Sequence, residues 1–384
     1  MKVCIIVKNS IWFDPRVRKQ IIEYRNNNID VHCIGLKDNK YDSEKLKQYD
    51  AKFTIVDVNN KYYGPKRNFF TKILRELQTN RLIKREIIKT KPDIIHANDL
   101  NALIPSYKAS KKTKSIVIYD THEIFIENPW IASKRIIKFV WYMYEKNIIN
   151  KVDLVVAVSN AATNYLINKY NIKKIMVVTN SIMKDQILQP KKWNTGDFQV
   201  LNHGQFYIGR GYEIMIDAAN ISKNEKIKYI IRGYGELEEM LRNKIINTKC
   251  KKAKLVDPVP VNELIEYASK SWIGLAITEP ISINFKLSVS NKIFEYAAAG
   301  LPVIMSNIPE HRYLNAKYNF GIILNDNTPK EINKAVDFLY ENKALYEQMS
   351  INAINFSYEM NWETQFYKLI DFERQLLEKR KNHT

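Results

Sequence analysis

The feature that most constrains the fold of this chain is the alternation of short, continuously apolar runs with longer amphipathic segments. The runs are rich in β-branched residues and lack alternating polar positions, which predicts strands that are covered on both faces. Strands of this kind separated by helices form doubly wound parallel sheets, so the fold class is α/β. We expect strands at residues 2–7, 30–36, 53–58, 93–97, 115–120, 153–159 and 175–180, and then at 198–203, 227–233, 253–256, 272–278, 302–306 and 321–325.

The alternation is interrupted once, at "LQPKKWNTGD" (188–197), where Pro, Gly and polar residues predict a linker. The chain has 384 residues, which is more than one hydrophobic core usually serves. We therefore expect two Rossmann-like domains, at 1–187 and 188–361, followed by a long helix at 362–384. Ligands of open α/β sheets bind at the carboxyl ends of the strands, so the cleft between the domains is the expected site.

Charge and composition restrict the class of partner without naming it. The net charge of +19 attracts anions such as nucleotides, phospholipid headgroups or nucleic acid. The sequence shows neither an apolar stretch of the ~20 residues needed to cross a bilayer nor the apolar core of a signal peptide, which predicts a cytoplasmic location. Cys4, Cys33 and Cys250 are odd in number and widely spaced, so we expect reduced core residues.

The stretch "NKIFEYAAAGLPVIMS" (291–306) carries one acid, Glu295, on a predicted helix that ends abruptly at Gly300. A helix that starts near Ser290 has free amides and a positive dipole end, which together attract phosphate. A carboxylate one turn further along can accept two hydrogen bonds from a vicinal diol such as a ribose. The alternative is that Glu295 is a solvated surface acid.

Other motifs favour the ligand interpretation. "DPRVRKQ" lies near the start, and "HGQFYIGRGYEIMIDAA" (203–219), "IIRGYGELEEML" (230–241), "NELIEYASKSWIGLAIT" (262–278) and "NKIFEYAAAGLPVIMSNIPE" (291–310) follow in order. Together they resemble retaining glycosyltransferases of family 4, with the GT-B fold, of the bacterial surface-polysaccharide type. The resemblance covers nearly the whole chain and is most specific between residues 203 and 310.

The resemblance implies roles for individual residues. Glu295 would bind the ribose hydroxyls of a nucleotide-sugar donor, and Arg210 would contact its diphosphate. Gly233 and Gly235 would form the turn where the nucleobase approaches the backbone, and His122 would lie near the transferred sugar. The implied donor-binding residues are Gly204, Gln205, Arg210, Gly233, Tyr234, Gly235, Asn291, Lys292 and Glu295, and the implied catalytic residues are Arg210, His122 and Glu295. The helix at 362–384 would pack back on the N-terminal, acceptor-binding domain.

Polar residues at predicted strand ends of the first domain are the candidates for the acceptor side. They are His96, Asn98 and Asp99 in "DIIHANDL", Glu123 in "YDTHEIF", and Asn9 and Trp12 after the first strand. Polar clusters at the carboxyl ends of parallel strands usually face the ligand. The alternative is a structural role, as for many histidines near a core.

Two positions depart from the family pattern. Leu287 stands where a second glutamate is common, and Gln205 stands where a first basic residue often contacts the diphosphate. Lys292 or Lys286 is a candidate for the missing charge. No Asp-x-Asp motif occurs, and Arg210 with helix amides can stabilise the leaving phosphate. We therefore expect no metal and no cofactor, the nucleotide sugar being a substrate.

Two segments of the first domain are basic or amphipathic. Residues 61–91 contain ten basic and two acidic residues, and 128–151 combines Lys and Arg with Trp, Phe and Tyr. Such segments suit an anionic membrane surface, although solvated helix faces that pack on their own sheet are the simpler alternative. They predict a peripheral protein on the inner face of the cell membrane.

The resulting hypothesis is a metal-independent glycosyltransferase that moves a sugar from a nucleotide donor, UDP-linked, to a growing polyprenyl-linked saccharide. A GT-B nucleotide-sugar epimerase and a transferase to a soluble acceptor are alternatives. A nucleic-acid-binding protein is a remote one, since the basic residues form no recognisable binding module and the donor motifs would be unexplained.

Overall fold

The computed structural model describes residues 1–37, 43–58, 69–194 and 197–382. The chain forms two compact units: unit 1 comprises Met1–Thr179 with Gln365–Thr384, and unit 2 comprises Asn180–Thr364. Residues 180–187, which the sequence places in the first domain, thus belong to unit 2. The reason is packing, because Ile187 lies in an apolar core of unit 2 and the Leu188 N–H donates to the Ala298 carbonyl at 2.9 Å.

The described part of unit 1 contains one parallel sheet of seven strands, in the order β3-β2-β1-β4-β5-β6-β7. Its strands are β1 (Lys2–Val7), β2 (Asp30–Leu36), β3 (Lys52–Val56), β4 (Ile94–Asn98), β5 (Ile116–Thr121), β6 (Leu154–Ala157) and β7 (Ile175–Val177). Its helices before unit 2 are α1 (Pro15–Asn26), α2 (Ser43–Lys47), α3 (Phe69–Thr90), α4 (Asp99–Thr113), α5 (Pro129–Ala132), α6 (Arg135–Ile148) and α7 (Asn160–Tyr170). Each predicted strand of this half is present.

Unit 2 contains a second parallel sheet, in which the described strands follow the order β10-β9-β8-β11-β12-β13. The strands are β8 (Phe198–Gln205), β9 (Ile227–Tyr234), β10 (Ala253–Val256), β11 (Ile273–Ala276), β12 (Val303–Met305) and β13 (Gly321–Ile323). The helices are α8 (Tyr212–Ile221), α9 (Glu238–Asn247), α10 (Leu264–Ser269), α11 (Ile283–Leu287), α12 (Asn291–Ala298), α13 (Pro309–Tyr318), α14 (Pro329–Glu341) and α15 (Lys343–Glu359), and α16 (Trp362–Lys381) runs on into unit 1.

Both sheets reverse their strand order at one point, between β1 and β4 in unit 1 and between β8 and β11 in unit 2. Ligands of doubly wound sheets bind beside such points, at the carboxyl ends of the strands. The α/β class and the Rossmann-like architecture of both halves are confirmed. Among the described helices, none combines the length and the apolar character needed to cross a bilayer.

Helix α1 begins as its sequence predicts. Asp14 is the N-cap, and its Oδ1 accepts hydrogen bonds from the Arg16 and Val17 N–H groups at 3.0 and 3.1 Å. Pro15 occupies the first helical position, where its missing N–H costs nothing. The apolar face buries Val17, Ile21 and Tyr24 completely. This cap and face fix the direction in which α1 presents its polar residues to the sheet.

Candidate functional site

The carboxyl ends of β8 and β9 bring together four of the predicted donor residues. Gly204 lies opposite Gly233, and Gln205 lies opposite Tyr234. Gly233 has a φ of +151°, and a Cβ atom there would lie 1.8 Å from the Gly204 carbonyl oxygen. Any side chain at 233 would therefore collide with the neighbouring strand. The Gln205 amide donates to the Tyr234 hydroxyl at 3.2 Å, so the side chain at 205 is turned toward β9.

Glu295 lies one turn inside α12 and reaches back to β8. Its Oε2 is 2.7 Å from Nε2 of His203, which is 1% exposed. The His203 N–H donates to the Tyr296 hydroxyl at 2.9 Å, which anchors the strand to the same helix. One fifth of the Glu295 side chain remains exposed, so the carboxylate is held by the histidine and is still accessible. His203 is not among the residues predicted from the sequence, although it is the first residue of the "HGQF" motif.

Helix α12 ends by a hydrogen-bond pattern that requires Gly300. The Leu301 N–H donates to the Tyr296 carbonyl at 2.9 Å and the Gly300 N–H donates to the Ala297 carbonyl at 3.0 Å, as in a Schellman motif. Gly300 has a φ of +72°, and a Cβ there would lie 2.8 Å from the Gln189 carbonyl oxygen. This explains why the acid-bearing helix stops so sharply before β12.

Lys292 extends under the end of β8. It is 8% exposed, and its Nζ donates to Asn202 Oδ1 at 2.6 Å and to the Tyr212 hydroxyl at 3.2 Å. Burial lowers the pKa of Lys292 to about 7; Arg210 adds to this effect and Glu295 opposes it. The ammonium group is therefore short of negative charge around it, and an anion bound nearby would stabilise its charged form.

Arg210 precedes α8 and lies near Lys292 and Asn202. Its guanidinium carbon is 4.4 Å from the centre of the Phe285 ring, and its carbonyl accepts from Asn202 Nδ2 at 3.2 Å. Asn202 thus links the Arg210 backbone to the Lys292 ammonium group. Asn291 is exposed at the start of α12, where Asn180 Nδ2 donates to its Oδ1 at 3.4 Å. These contacts gather two cations and one carboxylate at the end of β8.

In unit 1, His122 follows β5 and joins the end of β4. Its Nε2 lies 2.8 Å from Asn98 Oδ1, and its N–H donates to Asp99 Oδ1 at 3.1 Å. Its Nδ1 lies 3.7 Å from a carboxylate oxygen of Asp14 and of Asp99. The side chain is 17% exposed, so His122 is surrounded by acceptors and still reaches the surface.

Asp99 adopts an unusual backbone conformation beside His122, with a φ of +67°. Left-handed geometry is uncommon for a residue other than glycine and is often found at functional sites. Burial raises the pKa of Asp99 to about 6; His122 opposes the rise, while Glu123 and Asp14 add to it. The Asp99 carboxyl group is therefore more easily protonated than an ordinary aspartate.

A buried ion pair beneath His122 escaped the sequence analysis. Arg16 on α1 binds Asp120 on β5 through two hydrogen bonds of 2.9 Å, and both residues are buried. Although burial alone would raise the pKa of Asp120, Arg16 and His96 hold it below its ordinary value. Gln20 donates to Asp120 at 2.7 Å and to Asn98 at 3.0 Å. The "DPRVRKQ" motif was the available signal, since it carries both Arg16 and Gln20.

Several residues expected on the acceptor side lie elsewhere. His96 and Asn98 are fully buried, so both support the strand ends from below instead of lining the surface. In the described contacts Asn9 and Trp12 do not join the His122 network. Asn9 is exposed, and the Trp12 ring lies 4.9 Å from the Arg18 guanidinium carbon. Glu123 accepts from Asn128 Nδ2 at 2.8 Å, just beyond His122. In the described ranges, no group of three or more His, Cys, Asp or Glu residues is arranged to hold a metal ion.

Comparison with known proteins identifies the family. Residues 16–186 match the family model described as Glycosyltransferase Family 4, and residues 183–356 match the one described as Glycosyl transferases group 1. The uncharacterized glycosyltransferase MJ1069 of Methanocaldococcus jannaschii is 29% identical over 262 residues, which is 61% of this chain and 62% of that protein.

Solved structures share the fold over almost the whole chain. A glycosyltransferase from Rickettsia africae has a TM-score of 0.76 at 18% identity, covering 98% of both chains. Anabaena HepE in complex with UDP and glucose has a TM-score of 0.74 at 15% identity, covering 98% of this chain and all of that one. With two adjoining family matches and two doubly wound sheets, the chain belongs to the glycosyltransferases of the GT-B fold.

Proposed function

We propose that this chain is a retaining, metal-independent glycosyltransferase that moves a sugar from a UDP-linked donor to a growing, lipid-linked glycan in surface polysaccharide synthesis. The observation that carries the proposal is the grouping of Glu295, Lys292 and Arg210 at the carboxyl end of β8. HepE was solved with UDP bound, which supports a uridine nucleotide as the donor.

Sugar transfer from a nucleotide donor depends mainly on stabilising the negative charge of the leaving diphosphate. The bond from the anomeric carbon to the phosphate oxygen breaks, the acceptor oxygen bonds to that carbon, and the acceptor proton passes to the departing diphosphate. Negative charge grows on the leaving diphosphate, and preorganised cations lower the energy of that state. In this proposal Arg210 and Lys292 supply the charge, with Gln205 beside them, and Glu295 accepts from the ribose hydroxyls. Activity should accordingly survive EDTA, and a loss restored by Mn²⁺ would contradict the metal-free mechanism.

Unit 1 would receive the acceptor near His122. The partly exposed imidazole, with Asp99 and Glu123 beside it, offers groups that can accept a proton or bind sugar hydroxyls. Asn9 and Trp12 stay candidates for contacts further along the acceptor. His96 and Asn98 would act by holding His122 in place.

The membrane part of the proposal rests on exposed apolar side chains next to basic ones. On α6, Ile136 is 76% and Phe139 62% exposed, and Trp130 before it is 56% exposed with the Lys134 ammonium 4.3 Å from its ring centre. On α3, Leu77 is 56% exposed. Lys61, Lys66 and Arg67 of the predicted basic segment lie outside the described residues. Apolar and basic side chains on one surface suit anionic lipid headgroups, where a lipid-linked acceptor would reside.

A panel of nucleotides and nucleotide sugars, tested by thermal shift, examines the central claim. UDP or a UDP-sugar at 100 times its dissociation constant should add about 2.7 kcal/mol to the free energy of unfolding. The donor that binds is then incubated with lipid-linked saccharides, and transfer with retained anomeric configuration is expected. Release of epimerised nucleotide sugar without an acceptor would favour the epimerase, and no shift with any nucleotide would contradict the proposal.

A further inference from the structure

A chain of buried polar contacts connects α16 with the strand ends of unit 1. Glu373 Oε1 lies 2.6 Å from the Tyr24 hydroxyl, which lies 2.9 Å from Nδ1 of His96. Nε2 of His96 lies 3.2 Å from Oδ2 of Asp120. All four residues are completely buried. Because these four side chains are buried, each must find its hydrogen-bond partners among the others and their neighbours. The contacts therefore indicate which atoms carry protons.

The Tyr24 hydroxyl has one proton for two neighbours. If Glu373 were ionised, Tyr24 would have to donate to it, and His96 Nδ1 would then carry the proton that it donates to Tyr24. Burial lowers the pKa of His96, so the ring carries only one proton. Nε2 would be left unprotonated, with its lone pair facing the Asp120 carboxylate. Two acceptors at that distance repel each other.

A protonated Glu373 removes the conflict. The acid then donates to Tyr24, Tyr24 donates to His96 Nδ1, and His96 Nε2–H donates to Asp120. This arrangement also resolves Gln20, whose amide nitrogen lies within reach of three groups: His96 Nε2 at 3.2 Å, Asn98 Oδ1 at 3.0 Å and Asp120 Oδ2 at 2.7 Å. Its two hydrogens then serve Asn98 and Asp120, and the short distance between the Gln20 and His96 nitrogens follows because both donate to the same oxygen, Asp120 Oδ2.

We infer that Glu373 is a neutral positioning residue, which through Tyr24 holds His96 as its Nε2–H tautomer and so orients Asp120 and Asn98 beneath His122. Burial raises the pKa of Glu373 to about 8, against the Tyr24 hydrogen bond and the charge of Arg374. The groups that face it are Tyr24 on α1 and His96 on β4, whose Nδ1 is 3.9 Å away. Any effect on sugar transfer rests on the proposed function, whereas the tautomer does not.

Histidine ¹⁵N spectra of the full chain test the inference directly, because the two ring nitrogens have different shifts when protonated. At pH 6.5, the wild type should show His96 protonated on Nε2. As pH rises through about 8, Glu373 ionises and the signal should move toward the Nδ1–H form. Glu373→Gln keeps a donor toward Tyr24 and should hold the Nε2–H form at pH 9. Tyr24→Phe breaks the chain and should abolish the pH response.

An Nδ1–H tautomer in the wild type at pH 6.5 would overturn the inference, as would a pH response that persists in Glu373→Gln.

The thermal midpoint provides a second measurement. Folding raises the pKa of Glu373 from 4.5 to about 8, so the folded protein holds a proton that the unfolded chain has lost. The stability that this proton contributes is present at low pH and is lost as pH rises through about 8, so the wild-type thermal midpoint should fall as pH rises. Glu373→Gln should lack this part of the fall, and a parallel fall in both proteins would count against a neutral Glu373. If the protein lacked transferase activity, the proposed function would be refuted, and the tautomer of His96 and the thermal midpoint would still test the inference.

Discussion

At the residue scale, Lys292 is the side chain that we propose compensates for a missing basic residue. Position 205, where a basic residue was expected, holds a glutamine that bonds to Tyr234. Lys292 comes from a different element, yet its ammonium lies beside the Arg210 segment through their shared partner Asn202. The sequence left Lys292 and Lys286 as candidates for the missing charge, and the contact of Lys292 with Asn202 favours Lys292, because the choice depends on which elements meet.

Diphosphate binding should draw a proton onto Lys292. With a pKa of about 7, its amine is mostly neutral at pH 8, and a bound dianion raises that pKa, so binding should take up most of a proton from the buffer. Titration calorimetry of UDP in two buffers of different ionisation enthalpy measures this uptake. Lys292→Met should abolish it, and uridine, which lacks phosphate, should show none. UDP binding without buffer dependence at pH 8 would remove Lys292 from the diphosphate site.

The proposed contact between Glu295 and the donor ribose predicts a preference for the 2′-hydroxyl. Glu295→Gln should weaken UDP binding, because a hydrogen bond to a charged group is worth roughly 1.5–3 kcal/mol, or about 10- to 100-fold in Kd. The wild type should prefer UDP to 2′-deoxy-UDP, and the variant should lose that preference. His203→Phe should cause a smaller loss that is not additive with Glu295→Gln, since both act on one carboxylate. An unchanged preference in Glu295→Gln would place the ribose elsewhere.

At the scale of elements, α3 and α6 differ from helices that only cover a sheet. Both pack against α4, and both leave large apolar side chains in solvent. Helix α6 anchors itself by its other side, where Trp141 packs on Phe125 with ring centres 5.0 Å apart. The sequence showed the amphipathic pattern, and only packing reveals which apolar residues stay uncovered.

These two helices predict salt-sensitive binding to anionic membranes. Each basic residue near such a surface is worth about 1 kcal/mol, and screening at high salt weakens the attraction. The wild type should co-sediment with anionic liposomes at low salt and poorly with neutral ones. Replacing Lys72, Arg75, Lys84 and Arg85 by Ser should release it without changing UDP affinity. The matched control replaces four exposed lysines of unit 2, Lys223, Lys249, Lys251 and Lys254, and should still bind. If both variants were released equally, net charge would explain the binding, and the surface of α3 and α6 would have no specific role.

At the scale of the whole molecule, the chain leaves unit 1 at residue 179 and returns to it at residue 365. The returning helix buries Phe366, Leu369 and Ile370 completely, and the Phe366 ring centre lies 4.9 Å from that of Tyr24. The first 179 residues are thus an incomplete folding unit, whereas unit 2 is continuous in sequence.

Removal of residues 365–384 should destabilise unit 1 selectively. Burial of a large apolar side chain contributes about 1.5–3 kcal/mol, so loss of three such side chains approaches the whole stability of a typical domain. Hydrogen exchange of the fragment 1–364 should show loss of protection in β1, β4 and β5, with β8 and β9 still protected. The fragment 180–364 should fold alone. Equal loss of protection in both units would contradict this division.

The sequence alone determined the sheets, because continuously apolar β-branched runs leave few alternatives to buried parallel strands, and every predicted strand is confirmed within the described residues. It also identified the acid-bearing helix and its glycine stop, since both are local signals. Only the tertiary structure decided that His203 holds Glu295 and that Lys292 reaches Asn202. It also decided that Arg16 and Gln20 meet Asp120 beneath His122, and that Glu373 contacts Tyr24. Hydrogen bonds and charge pairs act over a few ångströms, and the residues concerned are separated by 90 positions or more in most of these contacts.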